Sequence, residues 1–481
     1  MQQRVGAFLA PAVFLLFLIL PLEGLSPQAH RLAAVLAAVV VLWVTEALPL
    51  PVTALLGASA CVVLQVAPAK DVFAPFADPL MFLFIGAFIL ARAIFLHGLD
   101  RRVAYAVLSL PWVGARPSRI LLAFGAVTAF ISWWISNTAT TAMMFGIGLS
   151  ILAAMRGSQS QSIDPRYPTA LMLMTSFAAS IGGLATPVGT PPNVIGISFI
   201  RSQLGVDVSF LQWMLIGVPA VLLLFGILYA FLNAVAPAGV RELPAGAESI
   251  RRERELLGPW TPGQRSVAIA FVVTVALWVI PGVVAVAAGE TSPAYRTLTQ
   301  RLPEGVAALL GAMLLFVLPG DDGPAISWKE AVQIDWGVVL LYGGGFALGV
   351  LSFQTGLAEA IGRGMTGLLP IEGSFGLLTA SIIVAVALSE TTSNTASANM
   401  IVPVVISIAR AAGLDPFEPA LGATMAASLG FMLPVSTPCN AIVYGSGLVP
   451  LGRMIRYGFV LDVAGIVVIL SLVRLLGPLL R

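Results

Sequence analysis

A succession of apolar runs, each about as long as a membrane is thick, most limits the folds open to this chain. A helix needs about 20 residues to cross the roughly 30 Å hydrocarbon layer of a bilayer. The sequence contains many such runs, separated by short polar segments, and therefore predicts an all-α polytopic membrane protein. The predicted simple spans cover residues 7–22, 32–48, 49–66, 80–95, 213–232, 267–286, 306–318, 336–352 and 458–476.

The composition excludes a soluble globular protein. Hydrophobic residues make up 58% of the 481 residues and charged residues only 10%, against about 25% in ordinary globular domains. The net charge is +2, and Lys and Arg form no cluster of the kind that nucleic-acid-binding proteins carry. Two His and two Cys lack metal-ligand spacing. We therefore expect no nucleic acid as a partner and no organic cofactor.

Four apolar segments are interrupted near their middle by polar residues and do not fit simple spans. Residues 120–155 and 373–410 predict re-entrant helical hairpins, which enter the membrane and leave on the same side. Residues 169–200 and 419–449 carry Pro and Asn at their centres and predict discontinuous helices. Irregular backbone at membrane depth is tolerated only where protein or a water-filled cavity surrounds it.

The distribution of charge predicts the orientation of the chain. When the hairpins are counted as non-crossing, most of the 25 Lys and Arg residues fall on the side of the N-terminus. The positive-inside rule then places the N-terminus in the cytoplasm, with the protein as a multi-pass component of the inner membrane. Residues 241–265 form the longest charged connector and divide the chain into two halves.

The two halves carry the same pair of motifs in the same order. Residues 132–140 read SWWISNTAT and residues 389–397 read SETTSNTAS, so both contain S-x-x-x-S-N-T-A. Downstream, residues 187–195 (PVGTPPNVI) resemble residues 434–442 (PVSTPCNAI). By the charge count the two hairpins enter from opposite sides, which predicts inverted repeats. In such transporters the substrate and ion sites lie near the bilayer midplane, where the broken helices meet.

The chemistry of the four motifs favours a small anion bound together with sodium ions. Hydroxyl, amide and carbonyl oxygens are ligands for alkali cations, and an unwound backbone at Gly189 or Ser436 can present carbonyls directly. Helix N-termini at the tips and breaks favour a carboxylate or another oxyanion. No motif contains Lys or Arg, so sodium must supply the positive charge. An Asn suits both partners, because its oxygen ligates a cation while its NH2 donates to an anion.

Other polar and aromatic residues leave more than one interpretation open. Glu390, within the second tip, can carry a proton, contribute to a cation site, or be a neutral packing residue. Glu46 can do the same or only anchor a helix end. Trp133 and Trp134 can support the first tip or serve as ordinary aromatic packing. We find no nucleophile–base pair and no metal-ligand cluster in the sequence, so we do not expect an enzyme.

These motifs resemble those of the divalent anion–sodium symporter (DASS) family. The marks of this family are paired Ser-Asn-Thr hairpin motifs followed by Pro-containing unwound helices. The resemblance covers essentially the whole chain, with one departure at Cys439, which replaces the second Pro of the pattern. The matching positions are Ser136-Asn137-Thr138, Ser393-Asn394-Thr395, Thr190-Pro191-Pro192-Asn193 and Thr437-Pro438-Cys439-Asn440.

Carried over by position, the resemblance implies two sodium sites with an anion site between them. Sodium site 1 is then formed by Ser132, Ser136, Asn137 and Gly189. Sodium site 2 is formed by Ser389, Thr392, Asn394 and Ser436. The anion site is lined by Ser136, Asn137, Thr138, Thr190, Ser393, Asn394, Thr395, Thr437 and Pro438.

The resemblance also implies an architecture and a function. It implies a homodimer, in which a scaffold holds the dimer and a transport part carries the site across the bilayer as an elevator. We expect scaffold helices in residues 1–118 and 266–370, transport parts in 119–240 and 371–481, and a cytoplasmic connector in 241–265. The implied activity is sodium-coupled import of small dicarboxylates of the succinate, malate and fumarate class. A sodium-independent exchanger and a proton-coupled carrier using Glu390 or Glu46 stay open as alternatives.

Overall fold

The computed structural model describes residues 2–157, 164–368 and 373–480. Within these three ranges the secondary structure is entirely helical, without a β-strand. Eight of the described helices are long and apolar enough to cross a membrane. The expectation of an all-α multi-pass membrane protein is confirmed. The expected boundary between residues 370 and 371 lies outside the described residues.

The first half begins with helices whose ends are set by local capping. Ser26 precedes the second helix, and its side chain accepts a hydrogen bond from the N–H of Ala29 at 3.1 Å. Asp78 caps the fifth helix through the N–H of Leu80 at 2.8 Å. Such side-chain acceptors satisfy the unpaired N–H groups of a first turn. These helices are α1 (Gln2–Ile19), α2 (Pro27–Thr45), α3 (Leu50–Val63), α4 (Ala69–Phe73), α5 (Pro79–Leu96) and α6 (Leu99–Leu108).

The first predicted hairpin and broken helix follow in the predicted order. Proline stands at the start of several of these helices, where its missing N–H costs nothing. The hairpin tip comprises residues 133–136, and the break in the discontinuous helix comprises residues 183–190. The helices are α7 (Pro117–Ser132), α8 (Asn137–Gly157), α9 (Arg166–Gly182), α10 (Pro191–Phe199) and α11 (Phe210–Val235).

The second half opens with a helix inside the charged connector, which the sequence pattern did not predict. A second feature absent from the predictions is a bend of 58° between the helix of residues 293–301 and the span of residues 304–317. The predicted simple spans end within three residues of the observed helices, whereas their starts differ by up to seven residues. The helices are α12 (Pro244–Leu256), α13 (Pro262–Ala288), α14 (Pro293–Arg301), α15 (Glu304–Val317), α16 (Trp328–Ala331), α17 (Trp336–Gln354) and α18 (Leu357–Leu368).

The second hairpin and second broken helix complete the chain and mirror the first pair. The second tip comprises residues 392–393, and the second break comprises residues 427–437. The helices are α19 (Gly373–Thr391), α20 (Asn394–Ala411), α21 (Phe417–Ala426), α22 (Pro438–Gly445) and α23 (Leu451–Leu476).

The two repeats pack into each other rather than side by side. α5 lies along α15 while α3 lies along α17, and α11 lies along α23. In the centre, α10 of the first repeat contacts α20 and α21, while α22 of the second contacts α8 and α9. This exchange brings both tips and both breaks into the middle of the molecule.

Candidate substrate and sodium site

Four helices begin at the polar centre of the molecule. α8 starts at Asn137, α20 at Asn394, α10 at Pro191 and α22 at Pro438. A helix N-terminus presents unpaired N–H groups and the positive end of the helix dipole. The arrangement therefore offers an anion four positive helix ends without a cationic side chain.

The first tip and the first break meet at Asn137. Its amide lies 2.7 Å from Ser132 Oγ and 3.1 and 3.3 Å from the carbonyl oxygens of Ala179 and Gly189, which places Nδ2 at this end. A methyl group on Gly183 would come within 2.5 Å of the same amide. Three of the four residues predicted for sodium site 1, Ser132, Asn137 and Gly189, are thus brought together.

The second tip and the second break meet at Asn394 in the corresponding way. Ser389 Oγ lies 2.6 Å from Asn394 Oδ1 and 2.7 Å from the carbonyl oxygen of Ala427. Asn394 Nδ2 donates to the carbonyl of Ser428 at 3.4 Å. Ser389 and Asn394 of the predicted sodium site 2 therefore lie together against the unwound backbone.

Both places bring neutral oxygens close together, and at the second the acceptors outnumber the available hydrogens. Around Asn137 lie the Ser132 hydroxyl and the carbonyl oxygens of Ala179 and Gly189. A hydroxyl has one hydrogen, while Ser389 faces two acceptors. Neutral oxygen atoms that lack a hydrogen-bond donor at membrane depth are suitable ligands for an alkali cation.

Two further asparagines brace the breaks, a role that the sequence analysis missed. Asn193 Nδ2 donates to the carbonyls of Gly183 and Thr186 at 2.9 and 2.8 Å. Asn440 Nδ2 donates to the carbonyls of Gly430 and Leu433 at 3.0 Å each. Both residues lay inside the matched motifs, so the repeated Asn was the available signal. The Asn brace is therefore the same in both breaks although Cys439 replaces the second Pro, while the second break is longer, eleven residues against eight.

The two repeats are also tied to each other at this centre. Ser176 on α9 donates to Asn440 Oδ1 on α22 at 2.5 Å. The thiol of Cys439 lies beside Thr138, Thr141 and Ser180 of the first repeat. The second broken helix is therefore positioned by the first hairpin and the first broken helix.

The remaining predicted residues differ in accessibility and orientation. Ser136, Thr138 and Pro438 are exposed, Ser393 is half-buried, and Thr190, Thr395 and Thr437 are buried. Ser436 Oγ bonds to Glu390 rather than to the Ser389 group. Thr392 Oγ1 donates to the carbonyl of Trp43 on α2 at 3.2 Å, so its hydroxyl points away from the site.

Glutamate and tryptophan residues whose roles the sequence left open lie in different environments. Glu46 is exposed and ends α2 in the left-handed conformation, with φ of 47°. Glu390 is buried at the second tip and accepts hydrogen bonds from the second break. Trp134 stacks on Phe210 and meets the edge of Phe271 on α13, which supports the first tip.

Comparisons with known proteins agree with this architecture. The family model described as "Sodium:sulfate symporter transmembrane region" matches residues 2–481. A protein named sodium-dependent dicarboxylate transporter SdcS, from Staphylococcus saprophyticus, is 34% identical over 488 residues, which cover 99% of this chain and 92% of that protein. The protein of the same name from Staphylococcus aureus (strain USA300) is 32% identical over 495 residues, with the same coverage.

A solved structure supports the fold independently. The crystal structure of the YdaH transporter from Alcanivorax borkumensis matches with a TM-score of 0.57 and 12% identity, covering 98% of this chain and 97% of that one. At this identity the similarity concerns the fold alone. Because the family model covers the chain almost from end to end, the chain belongs to the sodium:sulfate symporter family, and the resemblance to the divalent anion–sodium symporters is confirmed.

Proposed function

We propose that this protein is a sodium-coupled symporter that imports small dicarboxylates. The observation that carries the proposal is the cluster of neutral oxygens around Asn137 and Ser389, close to the N-termini of four helices. Sodium ions fill the acceptor-rich groups, and the anion lies between them at the helix N-termini. The names of the relatives, sodium-dependent dicarboxylate transporters, support the same cargo.

Sodium-coupled symport fits the site better than the two alternative functions. A sodium-independent exchanger needs fixed positive charge to balance a dianion, and the four motifs contain neither Lys nor Arg. A carrier coupled to protons through Glu46 needs that group at the site, whereas Glu46 is exposed at the end of α2. The Glu390 carboxylate accepts hydrogen bonds from the N–H groups of Met432 and Leu433 in the second break.

We further propose that residues 119–240 and 371–481 move as a transport part against a scaffold of residues 1–118 and 266–370. Near the start of α5 the two parts meet through polar contacts. Arg201 Nη2 lies 2.9 Å from the carboxylate of Asp78. Tyr342 OH donates to Asp78 at 3.0 Å and lies 2.6 Å from Ser198 Oγ.

Exposure supports an inward-facing arrangement of this transport part. The residues of α10 and of the first half of α20 are almost all buried, whereas Thr138, Ala142 and Gly146 on α8 are exposed. On α22, Pro438, Ala441 and Tyr444 are exposed as well. α8 and α22 end on the side that the positive-inside rule assigns to the cytoplasm. The homodimer stays a prediction from the family resemblance.

Uptake of radiolabelled succinate into proteoliposomes tests the proposed function. We expect an inward sodium gradient to drive uptake, and replacement of sodium by choline to abolish it. Unlabelled malate and fumarate should compete, and sulfate and citrate establish how far the specificity extends. Equal uptake in choline buffer contradicts sodium coupling.

The variants Asn137→Ala and Asn394→Ala test the assigned site. Each removes an amide that joins a tip to a break, so we expect each to abolish coupled uptake while the protein still elutes as a folded species. Asn233→Ala is the matched control, because Asn233 is half-buried on α11, outside both motifs. Wild-type rates in either motif variant contradict the assignment.

A further inference from the structure

The end of α10 that lies away from the anion site contacts the proposed scaffold. The helix begins at Pro191 in the first break, and a single π-helical turn of residues 200–204 continues it. Such turns occur frequently at functional sites. Arg201, in this turn, lies about 15 Å along the helix from Pro191. Its contacts are therefore separate from those of the proposed sodium sites.

Arg201 forms an ion pair with Asp78, the residue that caps the scaffold helix α5. Arg201 Nη2 donates to both carboxylate oxygens of Asp78 at 2.9 Å. Only 13% of the Asp78 side chain and 28% of the Arg201 side chain are exposed. Because the pair is partly buried, solvent and salt screen it less than an ion pair on an open surface.

A chain of hydroxyl groups makes a second connection between the same two parts. Tyr342 on α17 donates its O–H to Asp78 at 3.0 Å. A tyrosine hydroxyl has one hydrogen, so the Tyr342 oxygen accepts from Ser198 Oγ on α10 at 2.6 Å. Both hydroxyl residues are fully buried. Ser198 and Arg201 of the transport part are thus connected to the same scaffold carboxylate.

These polar contacts specify one relative position of the two parts. Asp78 also accepts a hydrogen bond from the N–H of Leu80 at 2.8 Å, so its carboxylate is well supplied with donors. Removing the cationic partner from a partly buried carboxylate is costly. Apolar contacts across the same boundary, such as Phe199 against Phe346, are less directional and tolerate displacement better.

We propose that Asp78, Arg201, Tyr342 and Ser198 form a latch that holds the transport part in the inward-facing arrangement. The inference rests on the proposed symport and on the proposed movement of the transport part. When that part moves toward the outer side, α10 moves with it while α5 and α17 stay in place. The ion pair and the hydroxyl chain then break together. The latch therefore lowers the fraction of molecules whose anion site faces outward.

The variant Asp78→Asn tests whether the latch sets this fraction. Asn keeps an oxygen acceptor for the Leu80 N–H and the Tyr342 hydroxyl but loses the charge that holds Arg201. A site that faces outward more often binds external substrate with higher apparent affinity. We expect the half-saturating succinate concentration, measured at saturating sodium in right-side-out membrane vesicles, to fall at least about threefold. A purely structural defect would not lower this concentration.

Glu418→Gln is the matched control for the loss of an ion pair. Glu418 pairs with Arg474 at 2.9 Å, and 15% of its side chain is exposed, but both residues belong to the transport part. We expect its half-saturating succinate concentration to equal that of wild type. If Asp78→Asn does not fold, Arg201→Gln breaks the same ion pair and leaves the cap of α5 intact.

Chemical cross-linking tests whether the two charged residues must separate during transport. Asp78→Cys and Arg201→Cys are combined in one chain and joined with a short bismaleimide, while the two native cysteines are buried. We expect the linkage to abolish succinate uptake, whereas each single variant treated in the same way still transports. The combination of Glu418→Cys with Arg474→Cys is the control, because a link within the transport part leaves its movement free.

Two results overturn the proposal. A half-saturating succinate concentration in Asp78→Asn that equals or exceeds that of wild type means that the contacts do not favour the inward-facing arrangement. Uptake by the linked protein at the rate of its control means that Asp78 and Arg201 stay together throughout transport. Wild-type uptake without sodium is a different result, which refutes the proposed function instead.

Discussion

At the scale of a residue, Ser389 illustrates how a neutral side chain contributes to the proposed sodium site 2. Its hydroxyl lies 2.6 Å from Asn394 Oδ1 and 2.7 Å from the Ala427 carbonyl, yet it has one proton. One of these oxygens is left facing another lone pair, which is unfavourable in a buried site. A sodium ion that ligates the oxygens removes this conflict.

Ser389→Ala is expected to weaken sodium binding more than it slows turnover. The change deletes one candidate ligand and leaves Asn394 Oδ1 without its partner, so the half-saturating sodium concentration should rise about tenfold. Sodium-activation curves of uptake measure this change. The control is Ser381→Ala, two turns earlier on α19, where the hydroxyl bonds only to the Leu377 carbonyl at 2.6 Å. Equal curves for the two variants contradict the role of Ser389.

Sequence patterns predicted the residues at the tips and breaks but not those that brace them. The Ser-Asn-Thr and Pro-containing motifs are local and occur twice, so their repetition was visible in the sequence. Asp462 belongs to no motif, and it lies near Glu390, which is on a helix distant in the sequence. Their approach depends on the rotation of α23, which hydropathy does not specify. A single acid in the last span was nevertheless a usable signal.

At the scale of an element, glycine residues let α17 pack closely between α3 and the central helix α20. A methyl group on Gly344 would come within 2.6 Å of Ala54 Cβ, and one on Gly345 within 2.3 Å of the Asn399 side chain. Glycine at both positions therefore lets α17 approach α3 on one side and α20 on the other. Because this close approach involves α20, it lies at the proposed boundary between scaffold and transport part.

Gly345→Ala is expected to destabilise this packing. Overpacking of a well-fitted contact costs about 1–3 kcal/mol, and the added methyl group meets the Asn399 amide rather than open space. We expect a lower melting temperature in detergent together with slower uptake. Gly364→Ala is the matched control, since a methyl group there meets nothing within 4 Å. A Gly345→Ala protein as stable and active as the control contradicts the proposed contact.

Helix boundaries were predictable where capping chemistry marks them and were missed elsewhere. Pro191 and Pro438 begin helices at the breaks, as the preference of proline for a first turn indicates. The amphipathic helix α12 lies in a charged segment that was interpreted only as a connector. The bend between α14 and α15 lies at Leu302 and Pro303, so the proline was a usable signal that the sequence analysis missed.

At the scale of the whole molecule, inverted repeats were predictable because the motifs recur in the same order. The expected homodimer rests on the family resemblance and was not derivable from composition or periodicity. A surface that contacts lipid and one that contacts a second copy are equally apolar, since association in membranes depends on packing rather than on hydrophobicity. The proposed division into scaffold and transport part likewise depends on which helices meet, as at Asp78 and Arg201.

We expect a transport cycle limited to the two proposed sodium sites and one dianion to be electroneutral. The protein returns to its starting state, so only the charges of the cargo cross the membrane. We expect an inside-negative potential, imposed with valinomycin and a potassium gradient, to change the initial rate of succinate uptake by less than about twofold. Each additional unit charge would couple to about 2.3 kcal/mol per 100 mV. Strong acceleration by the potential therefore contradicts a cycle limited to these two sites.

The mirror halves differ at the residue that follows the first serine of each tip, which is Trp133 in one and Glu390 in the other. The proposed sodium site 1 is therefore built from neutral groups alone, whereas an acidic residue stands next to Ser389 of the proposed sodium site 2. A carboxylate attracts a cation more strongly than a neutral group does. We therefore expect the second site to take up its sodium ion before the first.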